Sequence, residues 1–387
     1  MRYLRAVSGM LGRAIYKGQA AKSGVARSQV FTGDGCAVII LSGVKRVYNL
    51  GIDAGGQLYL PQFLEGTVLK LSPSCDLLST LYGPVGGWHP YSGQSSLFDQ
   101  NKPDVGLRFH RPHAVTLDGD GNLYVAEYQA GRIGKFTAGG ELIRYMGTPS
   151  DPVVLQGPVV AWPEHDGHVY VGDAKRHVVV RYRSDGTFEG WMGAGSDGSI
   201  QPGFRFDRIA TVASVEPGGF NNPHLARYGP DGNLYVADTG NNRLQKFTKD
   251  GHFAAWLGEE DGNVEAVGWR MHGLTGSGAR LGALASPISF DFDANGNLYV
   301  VENKNCRVQK FASNGRAIAW FGRSFDGTIG WQSGDASVSG DEPGAFKFPS
   351  DVRIFREQMY VSDTHNARVQ IVSMRTTRMG ELSGGVA

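Results

Sequence analysis

A chain of 387 residues, 41% hydrophobic and 19% charged, has the length and composition of a soluble globular protein with a sizeable core, and its formal net charge of +1 demands neither a nucleic-acid partner nor an acidic substrate. Its 56 glycines stand beside plentiful aromatic and β-branched residues, which suits many tight turns rather than disorder. The three cysteines, Cys36, Cys75 and Cys306, are odd in number and scattered, so they make no disulfide framework and point to a reducing, cytoplasmic setting.

Residues 1–33 carry Arg2, Arg5, Arg13, Lys17, Lys22 and Arg27 with no acidic residue before Asp34. Leu4, Val7, Leu11, Ala14 and Ile15 recur at helical spacing, which predicts a short basic amphipathic helix. Such a helix packs on the following domain, or docks on a membrane surface or a partner, making the protein membrane-peripheral in the second case. Arg5, Ser8, Gly9, Gly12 and Arg13 interrupt the apolar residues, so no secretory core is expected, and no transmembrane segment is seen. Asp34–Gly43, DGCAVIILSG, then reads as a strand standing before any complete unit.

From Gly55 onward one sentence is written six times, in its clearest form as DGNLYVADTGNNRLQKFTKDGHFAAWLG from Asp231. It predicts three short antiparallel strands, separated by turn chemistry at Asp231, Thr239 and Lys249. A tyrosine keeps the same place in each copy, at Tyr59, Tyr124, Tyr170, Tyr235, Tyr299 and Tyr360, so the period is 46 residues between 124 and 170 and 61 to 65 elsewhere. Units of this size, each a small twisted sheet, bury their faces by packing radially, which predicts an all-β, six-bladed β-propeller over residues 34–376, followed by a tail at 377–387. The last unit runs out after Val372, so Cys36–Leu41 is expected to close the ring as its outer strand, removing the open edges. An acidic residue with an arginine five positions later recurs at Glu127/Arg132, Asp238/Arg243, Glu302/Arg307 and Asp363/Arg368, and is expected to brace each hairpin.

The phrases P-x-x-I/V-x-x-D, G-N-L-Y-V-A-D, N-x-R-x-Q-K-F and D-G-x-F resemble the NHL repeat over roughly residues 34–373. The resemblance implies the propeller, but its members span amidating lyases, RNA-binding modules and protein-binding modules, so it does not fix an activity. Four long connections, Pro84–Arg108, Ala194–Gly219, Glu259–Ala283 and Arg323–Ala345, are expected to rim one mouth of the central channel with Trp88, Tyr91, Phe204, Trp269 and Trp331, flat surfaces for a protein, peptide or carbohydrate partner. The alternative is that each aromatic staples its own loop.

Inside the channel, the residue after the proline that opens each inner strand is Tyr48, His113, Val159, His224, Ile288 or Ser350, with Val47 replacing the first proline. Pro112-His113 and Pro223-His224 resemble the zinc-binding positions of the peptidyl-hydroxyglycine amidating lyases. That resemblance implies zinc or another divalent metal at His113 and His224, yet Ser350 stands where the third histidine belongs, leaving His110, His89 or His272 to reach in from a loop; the alternative is that the two histidines are polar channel lining or ligand contacts. Three residues further along lie Thr116, Trp162, Arg227, Asp291 and Arg353, of which Arg227, Asp291 and Arg353 are either the candidates for chemistry or for an anionic ligand, or a structural ion-pair ladder between blades. Two functions follow: a binding scaffold using Tyr48, Trp88, Trp269, Trp331 and Ser350, or a metal-dependent lyase or hydrolase in the channel. The one concentrated basic stretch is the N-terminal arm, so nucleic acid is not the expected partner.

Overall fold

A computed structural model of the protein describes residues 17–19, 25–31, 36–85, 87–90, 108–151, 153–207, 211–260, 268–271, 275–334 and 336–374. The expected N-terminal helix, the tail at 377–387, Tyr91 and His272 lie outside these residues.

Six antiparallel sheets follow one another around an axis, each with its first strand innermost: Gly51–Ile52, Pro112–Leu117, Pro158–Pro163, Pro223–Tyr228, Pro287–Phe292 and Asp351–Phe355. Alternation explains the blade packing. In Leu234–Asp238 and its counterparts every residue is buried, because both faces of an inner strand meet a neighbouring blade. The recurring tyrosine is half of a turn lock: Tyr59, Tyr124, Tyr235 and Tyr299 donate their hydroxyls to Asp53, Asp118, Asp231 and Asp293 in the preceding turn. In blade three Asp166 is taken by His168 and Tyr170 pairs instead with Tyr228, while blade six has no aspartate in that turn and Tyr360 donates to Gln358.

The ring closes as its sequence suggests. Ala37–Ser42 pairs antiparallel with Arg368–Ser373, setting Val38 opposite Val372 and Ser42 opposite Arg368. The sheet then continues outward through Ala26–Phe31 and Lys17–Gln19, so the described part of the basic arm is strand and belongs to blade six.

The acid–arginine code is a loop clamp as well as a hairpin brace. Arg243 binds Asp238 at 2.7 Å with both side chains fully buried, and also donates to the carbonyls of Glu216 and Gly219 in the connection entering its blade. Arg307 and Arg368 do the same to residues 279–283 and 341–345. A buried guanidinium is tolerable only when paired and hydrogen-bonded, and here the loop supplies extra acceptors, Nη1 of Arg243 alone among its nitrogens having none. In blade three, where Val178 replaces the arginine, Asp173 takes main-chain N–H groups of Gln156, Gly157 and Arg176 instead.

Candidate functional site

Each long connection begins by folding back on the outer strand it has just left. Trp88–Pro90 forms a fifth strand beside Leu77–Leu81, Ile329–Gln332 one beside Ala317–Ser324, and Arg205 and Arg270 bridge Trp191 and Trp256. Trp88, Phe204, Trp269 and Trp331 therefore stand at the outer edges of their blades. Each meets the recurring tyrosine of its own blade, at ring separations of 5.8, 6.2, 5.3 and 6.1 Å. Trp88 and Trp269 reach further, donating their indole N–H to Ala138 and Ser313 in the outer turn of the next blade. Gly315 in that turn has φ +85°, and Trp269 sits 2.8 Å from where a Cβ would stand, so only glycine admits the indole. This arrangement matches the stapling alternative: the hydrophobic anchor of a long loop lies at the seam between blades, not at a shared mouth.

The channel is polar at two levels. The connection-bearing end is set by a repeated β-bulge. The pairing of Pro112, Pro158, Pro223 and Pro287 with the second strand skips the next residue, so His113, Val159, His224 and Ile288 are the extra residues, turned out of the ladder. His113 and His224 converge with ring centroids 6.0 Å apart, although 111 residues separate them. Tyr48 stacks on His113 at 4.4 Å. Nδ1 of His113 lies 3.1 Å from the Val159 carbonyl, an acceptor only, so Nδ1 carries the proton and Nε2 the lone pair. Burial, reinforced by the neighbouring His224, drives His113 down to about 3, and burial drives His224 down to about 4, so both rings are neutral at pH 7. Ser350 is buried, donating to the Tyr48 carbonyl at 2.8 Å and bonded to Thr364. Among the described residues no three His, Cys, Asp or Glu side chains group as metal ligands. Two imidazoles fall short of the three protein ligands usual in a catalytic zinc site, so no chemical step is derived through a metal here. His110 and His89, both exposed, do not complete a set.

At the turn-bearing end, Arg227, Asp291 and Arg353 do come together. Arg227 binds Asp291 at 2.5 Å, and the other Asp291 oxygen accepts the Ile354 N–H at 2.8 Å. Arg353 approaches Asp351 at 3.2 Å and donates Nε to the Leu50 carbonyl. Asp351 is held further by Asn49, Ser289 and the Leu50 N–H, and burial raises it to about 6 against those bonds. With Thr116 donating to the Ala161 carbonyl and Glu164 accepting the Tyr228 N–H at 2.6 Å, these bonds link blade to blade around the channel wall. Braced in this way, the three candidates are first of all cross-blade ties.

Sequence reasoning passed over two residues here. Trp162 projects into the channel so that the guanidiniums of Arg227 and Arg353 lie 4.2 and 4.6 Å from its ring, the second reaching from the opposite blade. Glu164 sits on the turn just beyond, where burial raises its carboxyl to about 7. Trp162 is the one aromatic at a position that holds Thr116, Arg227, Asp291 and Arg353 in other blades, which was the available signal; Glu164 lies in a turn that carries none. Both line a cavity of about 420 Å³ with Leu117, Arg227, Tyr228 and Phe292, at the end of the channel away from the connections.

Fold and channel together define a six-bladed β-propeller whose two channel mouths are chemically distinct. Its repeats are of the NHL type, making the protein an NHL-repeat β-propeller: the NHL repeat family matches residues 220–247, within the clearest copy. NHL repeat-containing protein 3 of Mus musculus is 25% identical over 163 residues, 39% of this chain and 42% of that protein, so the chain matches less than half the length of this curated relative. Among solved structures, an auxiliary nutrient binding protein from Bacteroides ovatus superposes with a TM-score of 0.53 at 12% identity, covering 90% of this chain and 83% of that one. A gluconolactonase from Xanthomonas campestris gives 0.51 at 12%, covering 88% and 90%, and virginiamycin B lyase from Staphylococcus aureus gives 0.51 at 12%, covering 87% and 99%. At such identity these share the fold alone.

Proposed function

We propose that the protein is a binding scaffold whose ligand enters the central channel at the turn-bearing end, against Trp162, Glu164 and Arg227. The observation that supports this reading is an imbalance. At this mouth Arg227 uses Nη1 for Asp291 and Glu164 uses Oε1 for Tyr228, leaving Nη2 and Oε2 with no bond to a described residue beside a cavity large enough for a small molecule. A ligand that completes these bonds is held between polar groups and the aromatic walls. The aromatic loops serve the scaffold in this reading, and a protein or peptide partner would meet it as a single residue inserted into the mouth.

The test is a thermal-shift screen of small metabolites on the full chain, followed by calorimetry on Trp162→Ala. Stabilising compounds that lose binding in Trp162→Ala support the site; compounds that bind the variant equally well move the site elsewhere. A second reading, a lyase or hydrolase at the other end, is favoured by one observation: Nδ1 of His224 is buried without a partner, in a ring 6.0 Å from that of His113. Metal analysis of the untagged protein, with His113→Ala and His224→Ala as controls, decides it, since near-zero metal in the parent removes this reading.

A further inference from the structure

Resting on the binding reading above, we infer that the cavity at the turn-bearing mouth takes a neutral polyhydroxylated ligand, a carbohydrate of one or two rings.

The argument starts from charge. Asp118 and the partly ionised Glu164 line the cavity and Asp291 lies just behind Arg227, so an anionic ligand meets carboxylates as well as the guanidinium. A cationic ligand meets Arg227, with Arg353 behind it across the Trp162 ring. Each sign is opposed by fixed groups of the same sign, with Lys135 already placed 3.8 Å from Asp118 and Asp351 beside Arg353. A desolvated charge gains little where its attractive and repulsive neighbours balance, and it still loses its hydration. Neutrality is therefore selected by the wall.

The bonding pattern selects hydroxyls. Oε2 of Glu164 is an acceptor with no bond to a described residue, and Nη2 of Arg227 is a donor with none, Nη1 being bonded to Asp291. A hydroxyl is at once donor and acceptor, so adjacent hydroxyls on one ring give a proton to Glu164 and accept one from Arg227. An amide offers the same pair only at fixed spacing, whereas a sugar presents several. Burial that holds Glu164 near neutrality fits this use, since a half-ionised carboxyl can also donate. Leu117, Phe292 and the indole edge of Trp162 provide apolar surface for the C–H face of the ring.

The experiment uses the full chain and isothermal calorimetry with saturation-transfer NMR. Its probes are methyl glucoside, methyl mannoside, N-acetylglucosamine and cellobiose, with glucuronate and glucosamine as charged counterparts. The expected result is binding of at least one neutral probe at least tenfold tighter than either charged counterpart. Glu164→Gln should weaken that binding about tenfold, while His113→Gln at the other channel end leaves it unchanged. Phe292→Ala gives an independent loss should Glu164→Gln disturb the Tyr228 contact. Tighter binding of a charged counterpart overturns the neutral-sugar inference and leaves the cavity reading standing. Neutral sugar binding that survives both Glu164→Gln and Phe292→Ala overturns the assignment to this cavity. Binding of no probe, together with no cavity-dependent ligand in the metabolite screen, overturns both.

Discussion

The two ends of the central channel are built from the same inner strands, a few residues apart, yet they handle polar side chains in opposite ways. At the connection-bearing end a β-bulge in blades two to five turns a side chain away from the ladder, so His113 and His224 meet without a carboxylate beside them and rest as neutral rings. At the turn-bearing end the side chains are long and charged, and they reach across to the next blade: Arg227 to Asp291, Arg353 to Leu50, Glu164 to Tyr228, with Asp351 on the strand of Arg353 pairing to it. A recurring position therefore has a recurring geometry but no fixed chemistry. Where charged groups can span the gap between blades they become ties. Where only rings are available, they are left as unmatched lining.

The contrast is broken most strongly by removing a tie. Arg353→Met leaves Asp351 buried with one cation fewer, and breaking such a pair is expected to cost about 3–5 kcal/mol in chemical denaturation. His113→Gln, which keeps a donor for Val159, should cost under about 1.5 kcal/mol at pH 8 by the same measurement. Equal losses at the two ends would erase the distinction.

Acid titration sharpens it. The folded-state values of His113 and His224, about 3 and about 4, lie below the usual 6.5, so the unfolded chain binds the extra protons. Their contribution is complete above pH 6.5 and is lost as pH falls toward 4. Glu164 and Asp351 are raised, to about 7 and about 6, so the folded chain binds the extra protons and their contribution is complete in acid and lost as pH rises through those values. The two ends thus oppose one another between about pH 4.5 and 6.5. Melting temperature measured from pH 4 to 8 should become flatter on the acid side in His113→Gln/His224→Gln and steeper there in Glu164→Gln, each by about 2–4 °C. Parallel profiles for all three proteins would show that the two ends are not in opposition.

The smallest effect belongs to a neutral tie. Thr116→Val removes one hydroxyl bond to the Ala161 carbonyl between blades two and three while keeping the shape, and is expected to cost about 0.5–1.5 kcal/mol in the same denaturation assay. A loss as large as that of Arg353→Met would mean that the ring depends on the number of ties rather than on their charge.

The sequence by itself determined the propeller, its blade count and its closure. Strand alternation, turn residues and the tyrosine recur at a fixed period, and a pattern repeated six times reports local structure that each copy specifies independently. The closing strand was legible because a strand pattern without a unit at one end matched a unit without a strand at the other. It also located the channel positions, since the proline marks where each inner strand begins. What only the tertiary structure decided is how those positions are used. Trp88, Trp269 and Trp331 read as a rim in one dimension, but the fold-back of each connection sends them to the seams, because a loop leaving an outer strand can extend that strand's sheet before it travels anywhere. Trp162 and Arg353, 191 residues apart, meet only because blades three and six face each other across the axis. Glu164 gains its altered carboxyl from burial against blade four, and the cavity it lines is shared among four blades. Contacts between copies depend on how the ring curves and on which side chains are long enough to cross it, and no single repeat encodes either.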